Sequence, residues 1–270
     1  MVTGANKYGN NFSLRDEIKA YWSQRAPTFD LSPGHEIFSE EERAAWHRLV
    51  EKHLGRGEGR SALDLASGTG VISHLMDDLG YRVTGLDWAE PMLERAKAKA
   101  ASRNRSITFR MGDAENTMEP ENAHDVIINR HLVWTLVDPQ AAFKEWLRVL
   151  KPGGKVLIVD GDFVNVSLSE KLLKTLAAWL QKYGVLKADP LQATAEMMGI
   201  HNSILSRVYF SQGARAEAVA ALLREAGFEN IVIDTDLRTI HKTQAKNWNM
   251  LKAAARGIQH RFAISASKPV

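Results

Sequence analysis

Cysteine is absent from the 270-residue chain, which excludes disulfides and thiolate metal sites. Long apolar runs are missing as well, and none approaches the roughly 20 residues that a membrane-spanning helix requires. The opening stretch, MVTGANKYGNNFSLRDEIKAYW, holds no apolar segment of signal-peptide type, so the cytoplasm is the expected address. There is no run of about five like-signed basic residues. The net charge of +3 gives nucleic acid no support, while the sequence pI near 9.0 leaves it open. The nine histidines form no H-x-x-x-H or H-E-x-x-H pair, so no catalytic metal is expected. What is present is 44% hydrophobic and 25% charged, the composition of an ordinary globular protein with a sizeable core.

Residues 1–60 read as helical. SLRDEIKAYWSQRA carries Leu14, Ile18, Tyr21 and Trp22 at helical spacing and is ended by Pro27. SEEERAAWHRLVEKHL follows, with Ser39 as its cap and Gly55 behind it. From 61 to 160 apolar strands alternate with helices: SALDLA, YRVTGLD, ITFRMGD, HDVIINR and GKVLIVD are the strands. Pro91 opens one intervening helix, and Asp138 caps another. This alternation predicts parallel strands with crossover helices, a doubly wound α/β sheet. Residues 161–213 interrupt it with SLSEKLLKTLAAWLQKYG, where Ser167 and Glu170 suggest a capping box. Leu172, Leu173, Leu176 and Leu180 form an apolar stripe there, and Gly184 a stop. Over 214–270 the pattern resumes with AEAVAALLREAG, ENIVIDT, a helical piece around WNMLKAAARG and the strand RFAISAS.

The stretch SALDLASGTGVISHL runs a strand through a glycine turn into a helix. Gly68 and Gly70 lack the Cβ atoms that would hold a ligand off the backbone, and they permit a tight turn. They also suit a turn with no ligand at all. Asp87 ends the next strand, where an acid can reach ribose hydroxyls, and Asp113 ends the third. A dinucleotide fingerprint would read G-x-G-x-x-G/A, whereas GTGVIS reads G-x-G-x-x-S. Asp64 precedes the turn, and a carboxylate there repels a pyrophosphate but attracts an ammonium or sulfonium group.

In order and spacing, LDLASGTG, VTGLDWAEPML, RMGDAE, HDVIINRHLVWTLVDP and RVLKPGGKVLIVD resemble the class I S-adenosylmethionine-dependent methyltransferases, of the small-molecule, ubiquinone/menaquinone-methyltransferase-like kind. The resemblance covers about residues 20–160 well and the tail from Arg215 more loosely. It implies a seven-stranded, mostly parallel, Rossmann-like sheet whose last strand is antiparallel. It also implies an N-terminal helical cap (1–60), a cofactor-binding core (61–160), a helical insertion shaping the acceptor site (161–213) and a C-terminal part of the same α/β domain (214–270).

The cofactor it implies is S-adenosyl-L-methionine, with S-adenosyl-L-homocysteine as product. By resemblance, Asp64, Ala66, Gly68 and Gly70 surround the methionine moiety, and Asp87 takes the ribose. Trp88 and Met92 pack near the adenine, or form plain helix–sheet core. Asp113 and Ala114 meet the adenine, and Asn129 faces the sulfonium. The segment before the first strand closes over the cofactor, with Tyr21 toward it and Arg25, Phe29 and His35 as further lid residues. His131 is the polar group expected on the acceptor side for catalysis. Trp134, Asp160, His201, Arg207 and Tyr209 are expected around the acceptor, with Arg25 and His35. Ala66 replaces the family's usual first glycine, and alanine fits without strain only where φ is negative.

Methyl transfer from a sulfonium is an in-line displacement, which needs alignment in a dry site more than it needs a base. The expected acceptor is an O, N or C nucleophile of a small molecule. An RNA or protein methyltransferase, a non-catalytic cofactor-binding protein of the same fold and a nicotinamide-dependent oxidoreductase are the alternatives left open by the sequence.

Overall fold

In the computed structural model, residues 13–165, 167–183, 185 and 194–270 are described, and Gly184 lies outside them. The chain opens with helix α1 (Leu14–Arg25), whose cap Ser13 exchanges hydrogen bonds with Asp16 in a capping box. Pro27 then turns the backbone into a 3-10 segment, Ala26–Leu31. Helix α2 (Glu40–Leu54) starts at Ser39, whose hydroxyl accepts the Glu42 N–H, and stops at Gly55.

The alternating region folds as β1 (Ser61–Leu65), α3 (Val71–Asp78), β2 (Arg82–Asp87), α4 (Glu90–Ser102), β3 (Thr108–Met111) and β4 (His124–Arg130). It continues with α5 (Pro139–Val149) and β5 (Leu150–Gly161). Helices α6 (Leu168–Lys182) and α7 (Ala195–Leu205) form the insertion. After it come α8 (Ala216–Glu225), β6 (Glu229–Asp234), α9 (Arg238–Ala245), α10 (Met250–Gly257) and β7 (Arg261–Ser267).

The strands make one seven-stranded sheet in the order β3-β2-β1-β4-β5-β7-β6. β1 through β5 pair in parallel, and β7 inserts antiparallel between β5 and β6. Strand order reverses between β1 and β4, which opens a crevice at their carboxyl ends. Period-two alternation divides the core between the two faces. Leu63, Leu65, Ile127 and Ile158 face Phe143 and Trp146 of α5 and Leu223 of α8. Ala62, Val126, Ile128 and Leu157 face Trp46 of α2, Leu75 of α3 and Ile240 of α9.

Two elements depart from the sequence expectations. Helix α9 carries little apolar periodicity, because a polar joint seats it: the Gln244 amide donates to Glu42 (3.1 Å) and accepts from Arg261 (3.2 Å). The α6 stripe is not buried as a whole, since Leu172 is 72% and Leu176 43% exposed. Glu170, Leu173, Ala177, Ala178 and Gln181 of α6 line a cavity instead of a core.

Trp146 is fully buried, and its indole N–H donates to the Ala114 carbonyl at 2.8 Å, tying α5 to the loop after β3. Trp146→Phe leaves that carbonyl unpaired in the core. It is expected to lower stability by about 1–3 kcal/mol, read from the urea midpoint at unchanged m-value.

Candidate functional site

The crevice at the carboxyl ends of β1, β2 and β4 holds an inner cavity of about 1020 Å³, the open space at its mouth included. The glycine turn forms its floor. Gly68 and Gly70 both adopt left-handed φ, +55° and +82°. A Cβ on Gly70 would lie 2.8 Å from the Phe109 ring, so only glycine lets β3 pack this closely. Asp87 braces the turn from the neighbouring strand: its carboxylate accepts the Gly68 N–H at 2.9 Å and the Ala89 N–H at 2.8 Å. Burial raises its pKa to about 6 against the pull of these amides.

Asp64 also lines this cavity and accepts the Ser73 hydroxyl at 2.6 Å. Burial pushes its pKa up to about 7, with the Ser73 bond and the charge of Arg130 opposing. Parity puts Asp64 and Arg130 on the same sheet face, through the Asp64–Ile128 pairing and the two-residue step along β4. One Arg130 amino group donates to the His35 carbonyl at 2.8 Å, and the guanidinium lies over the Trp46 ring. Its Nη1 is buried and has no partner among the described residues; neither has the Ser67 hydroxyl. Trp88, Met92, Asp113 and Ala114 complete the far end, where Asp113 accepts the Glu115 N–H at 2.8 Å. Met92 is both core and wall, packing on Ala26 and Ala89.

A lid covers this cavity. Trp22 and Phe29 reach into it from α1 and the 3-10 segment. Lys99 of α4 fastens the segment by ion pairs to Asp30 (2.9 Å) and Glu36 (2.6 Å). Arg15 of α1 pairs with Glu115.

A second, outer cavity of about 1770 Å³ adjoins the first, and Trp22, His35 and His131 line both. The His35 ring stacks on Phe29 at 4.2 Å and meets the Phe29 carbonyl at 3.2 Å. Burial, then the charge of Arg130, drives its pKa down to about 3. His131 sits in the left-handed region (φ +58°), and its ring meets the Phe163 edge at 5.3 Å. Burial and Arg130 hold its pKa well below 6.5. Both imidazoles are therefore neutral at physiological pH.

Several sequence-predicted residues fall elsewhere. Tyr21 lines the outer cavity, not the inner one, and packs beside His201 at 5.6 Å. Arg25, Trp134 and His201 do line the outer cavity. Asn129 does not reach the crevice: parity turns it to the face of Ile127, and neither amide atom finds a partner among the described residues. Asp160 is 1% exposed and lines neither cavity. Its carboxylate accepts the N–H groups of Val133 (2.7 Å), Trp134 (3.4 Å) and Gly161 (2.8 Å), so it holds the turn after β4 instead of an acceptor amine. Arg207 pairs with Glu17 at 2.5 Å and ties α7 to α1. Tyr209 is 52% exposed and packs on Phe210. Ala66 adopts φ +53°, so the condition for unstrained alanine is not met. Sequence reasoning missed Arg130 and Ser67, whose only signal was a polar residue at a strand or turn end, and Arg256 on α10, which had none.

The strand order, the reversed β7 and the glycine turn under a two-chambered crevice define an α/β protein of the nucleotide-binding type. Residues 63–158 match the Methyltransferase domain family. A demethylmenaquinone methyltransferase of Renibacterium salmoninarum is 32% identical over 169 residues, 60% of this chain and 68% of that protein. Another, of Paenarthrobacter aurescens, is 27% identical over 236 residues, 85% of this chain and 86% of its own. Among solved structures, phosphoethanolamine N-methyltransferase 2 of Haemonchus contortus, in complex with S-adenosyl-L-methionine, shares the fold. Its TM-score is 0.66 at 16% identity, over 97% of this chain and 61% of that one. The chain belongs to the class I S-adenosylmethionine-dependent methyltransferases that act on small molecules.

Ala66→Gly relieves a left-handed alanine, about 1–2 kcal/mol, against about 0.5–1 kcal/mol of added unfolded-state entropy. The variant is expected to be more stable than the parent by about 0.5–1 kcal/mol in urea unfolding.

Proposed function

We propose that the inner cavity binds S-adenosylmethionine and that the outer cavity presents a small-molecule acceptor to its methyl group through the neck at Trp22, His35 and His131. The observation that carries this reading is the pair of opposite charges on one wall of the inner cavity, Asp64 and Arg130. The methionine end of the cofactor is a zwitterion beside a sulfonium. Asp64 suits its ammonium group, and the unpartnered Nη1 of Arg130 suits its carboxylate. The buried Ser67 hydroxyl offers a further hydrogen bond. Asp87 and Asp113 end the next two strands, where the ribose hydroxyls and the adenine amino group would lie, with Trp88 and Met92 as apolar walls.

When bound, this cofactor supplies an electrophilic methyl group on a cationic sulfur that leaves as a neutral thioether. The chain's own contribution is orientation and dryness. Trp22, Trp134 and Phe163 pack edge to face around the neck and keep water from the line of transfer. His131, held neutral by burial, is placed to accept a hydrogen bond from a hydroxyl or amine acceptor, while burial and the charge of Arg130 oppose its taking the proton outright.

Calorimetry with S-adenosylmethionine and S-adenosylhomocysteine tests the assignment, and the absence of binding by either ligand would sink it. The ionised form of Asp64 is the one that attracts the ammonium, and its pKa is about 7, so binding expels a proton below that pH. Affinity is expected to fall as pH drops from 8 to 6, by up to about tenfold per unit per proton released. Heats measured in buffers of different ionisation enthalpy should report the proton. Asp64→Asn should weaken binding and flatten the profile.

A further inference from the structure

The outer cavity carries a charge pattern that transfer to an uncharged acceptor does not require. Arg25 comes to its wall from the last turn of α1, and Arg256 from the last turn of α10. The Arg25 Nε is buried with no partner among the described residues. Arg256 donates to the neutral Gln259 at 3.3 Å and lies over the Trp248 ring. Glu170 is the one carboxylate of the described lining, and its charge acts on Arg256; Lys252, engaged with a partner of its own, also lines the chamber. Both guanidinium groups act at the neck, since each disfavours protonation of His35.

The described lining of this chamber carries more positive than negative charge, an electrostatic mismatch that its partly enclosed walls do not fully screen. Neutral His35 and His131 do nothing to offset it. The mismatch is resolved when the second ligand brings negative charge of its own.

We propose that the methyl acceptor is an anion, a carboxylate or a phosphate ester, whose charged group docks between Arg25 and Arg256 while its nucleophile points through the neck. This rests on the reading of the inner cavity as the S-adenosylmethionine site. Guanidinium forks match both oxyanions, so the two sources share one recognition chemistry.

The test is calorimetry on the enzyme saturated with S-adenosylhomocysteine, titrated in turn with malonate, inorganic phosphate, uncharged malonamide and 1,4-naphthoquinone. At least one anion should bind the parent, and malonamide should not. R25Q and R256Q should each weaken the anion at least tenfold while holding S-adenosylhomocysteine within twofold of the parent. That unchanged affinity also shows that the variants are folded. Preference for malonate or for phosphate tells the carboxylate source from the phosphate source. The proposal is overturned if neither anion binds, if malonamide or naphthoquinone binds as well as the anions, or if both variants keep the parent's anion affinity. Loss of S-adenosylhomocysteine binding in the parent overturns the cofactor reading itself, a result separable from indifference to anions.

Discussion

The Asp87 carboxylate is the joint on which the crevice depends. It receives the Gly68 N–H from one loop and the Ala89 N–H from another, and so fixes the glycine turn against the end of β2. Without that bridge the backbone amides of the turn would need other partners in a site that excludes water. The same side chain also lines the inner cavity beside that turn. Burial holds its pKa near 6, low enough for the charged form to prevail at neutral pH.

Two of the seven non-glycine residues with left-handed φ among the described residues lie at this crevice. Ala66 and His131, both non-glycine residues in the left-handed region, follow directly on β1 and β4, the two strands that part at the switch point. His131 is held there by its own N–H to the Val159 carbonyl (2.9 Å) and by the Trp134 indole donating to the His131 carbonyl (2.9 Å). Asp160, buried beneath, fixes the turn that carries Trp134. Such conformations persist only where the surroundings over-determine them, and they place the imidazole at the neck between the two cavities.

Charge is sorted by chamber. The inner wall pairs Asp64 with Arg130, while the outer lining is dominated by Arg25, Lys252 and Arg256. The lid over the inner cavity is fastened by ion pairs, Arg15 to Glu115 and Lys99 to Asp30 and Glu36, and Arg207 joins it to the insertion through Glu17. The Arg15 and Arg207 pairs are partly exposed and contribute little stability one by one, whereas Lys99 is largely buried between its two carboxylates.

Local pattern determined the strands, their parallel alternation with helices, the glycine turn and the acids at three strand ends, because periodicity and turn chemistry are properties of neighbouring residues. Capping at Ser39, Asp138 and Ser167 was legible for the same reason. What lay beyond it was set by contacts between distant segments. Parity along β4 sent Asn129 into the core and Arg130 into the crevice, and a polar joint through Gln244 made α9 a helix without an apolar stripe. Asp160 and Arg207 read as ligand-facing charges until the fold gave each an internal partner. The sequence alone determined that a cationic nucleoside could be held at the end of β1. Only the tertiary structure decided what stands opposite it, because α1 and α10, more than 200 residues apart, meet across the second cavity through folding and not through any local pattern.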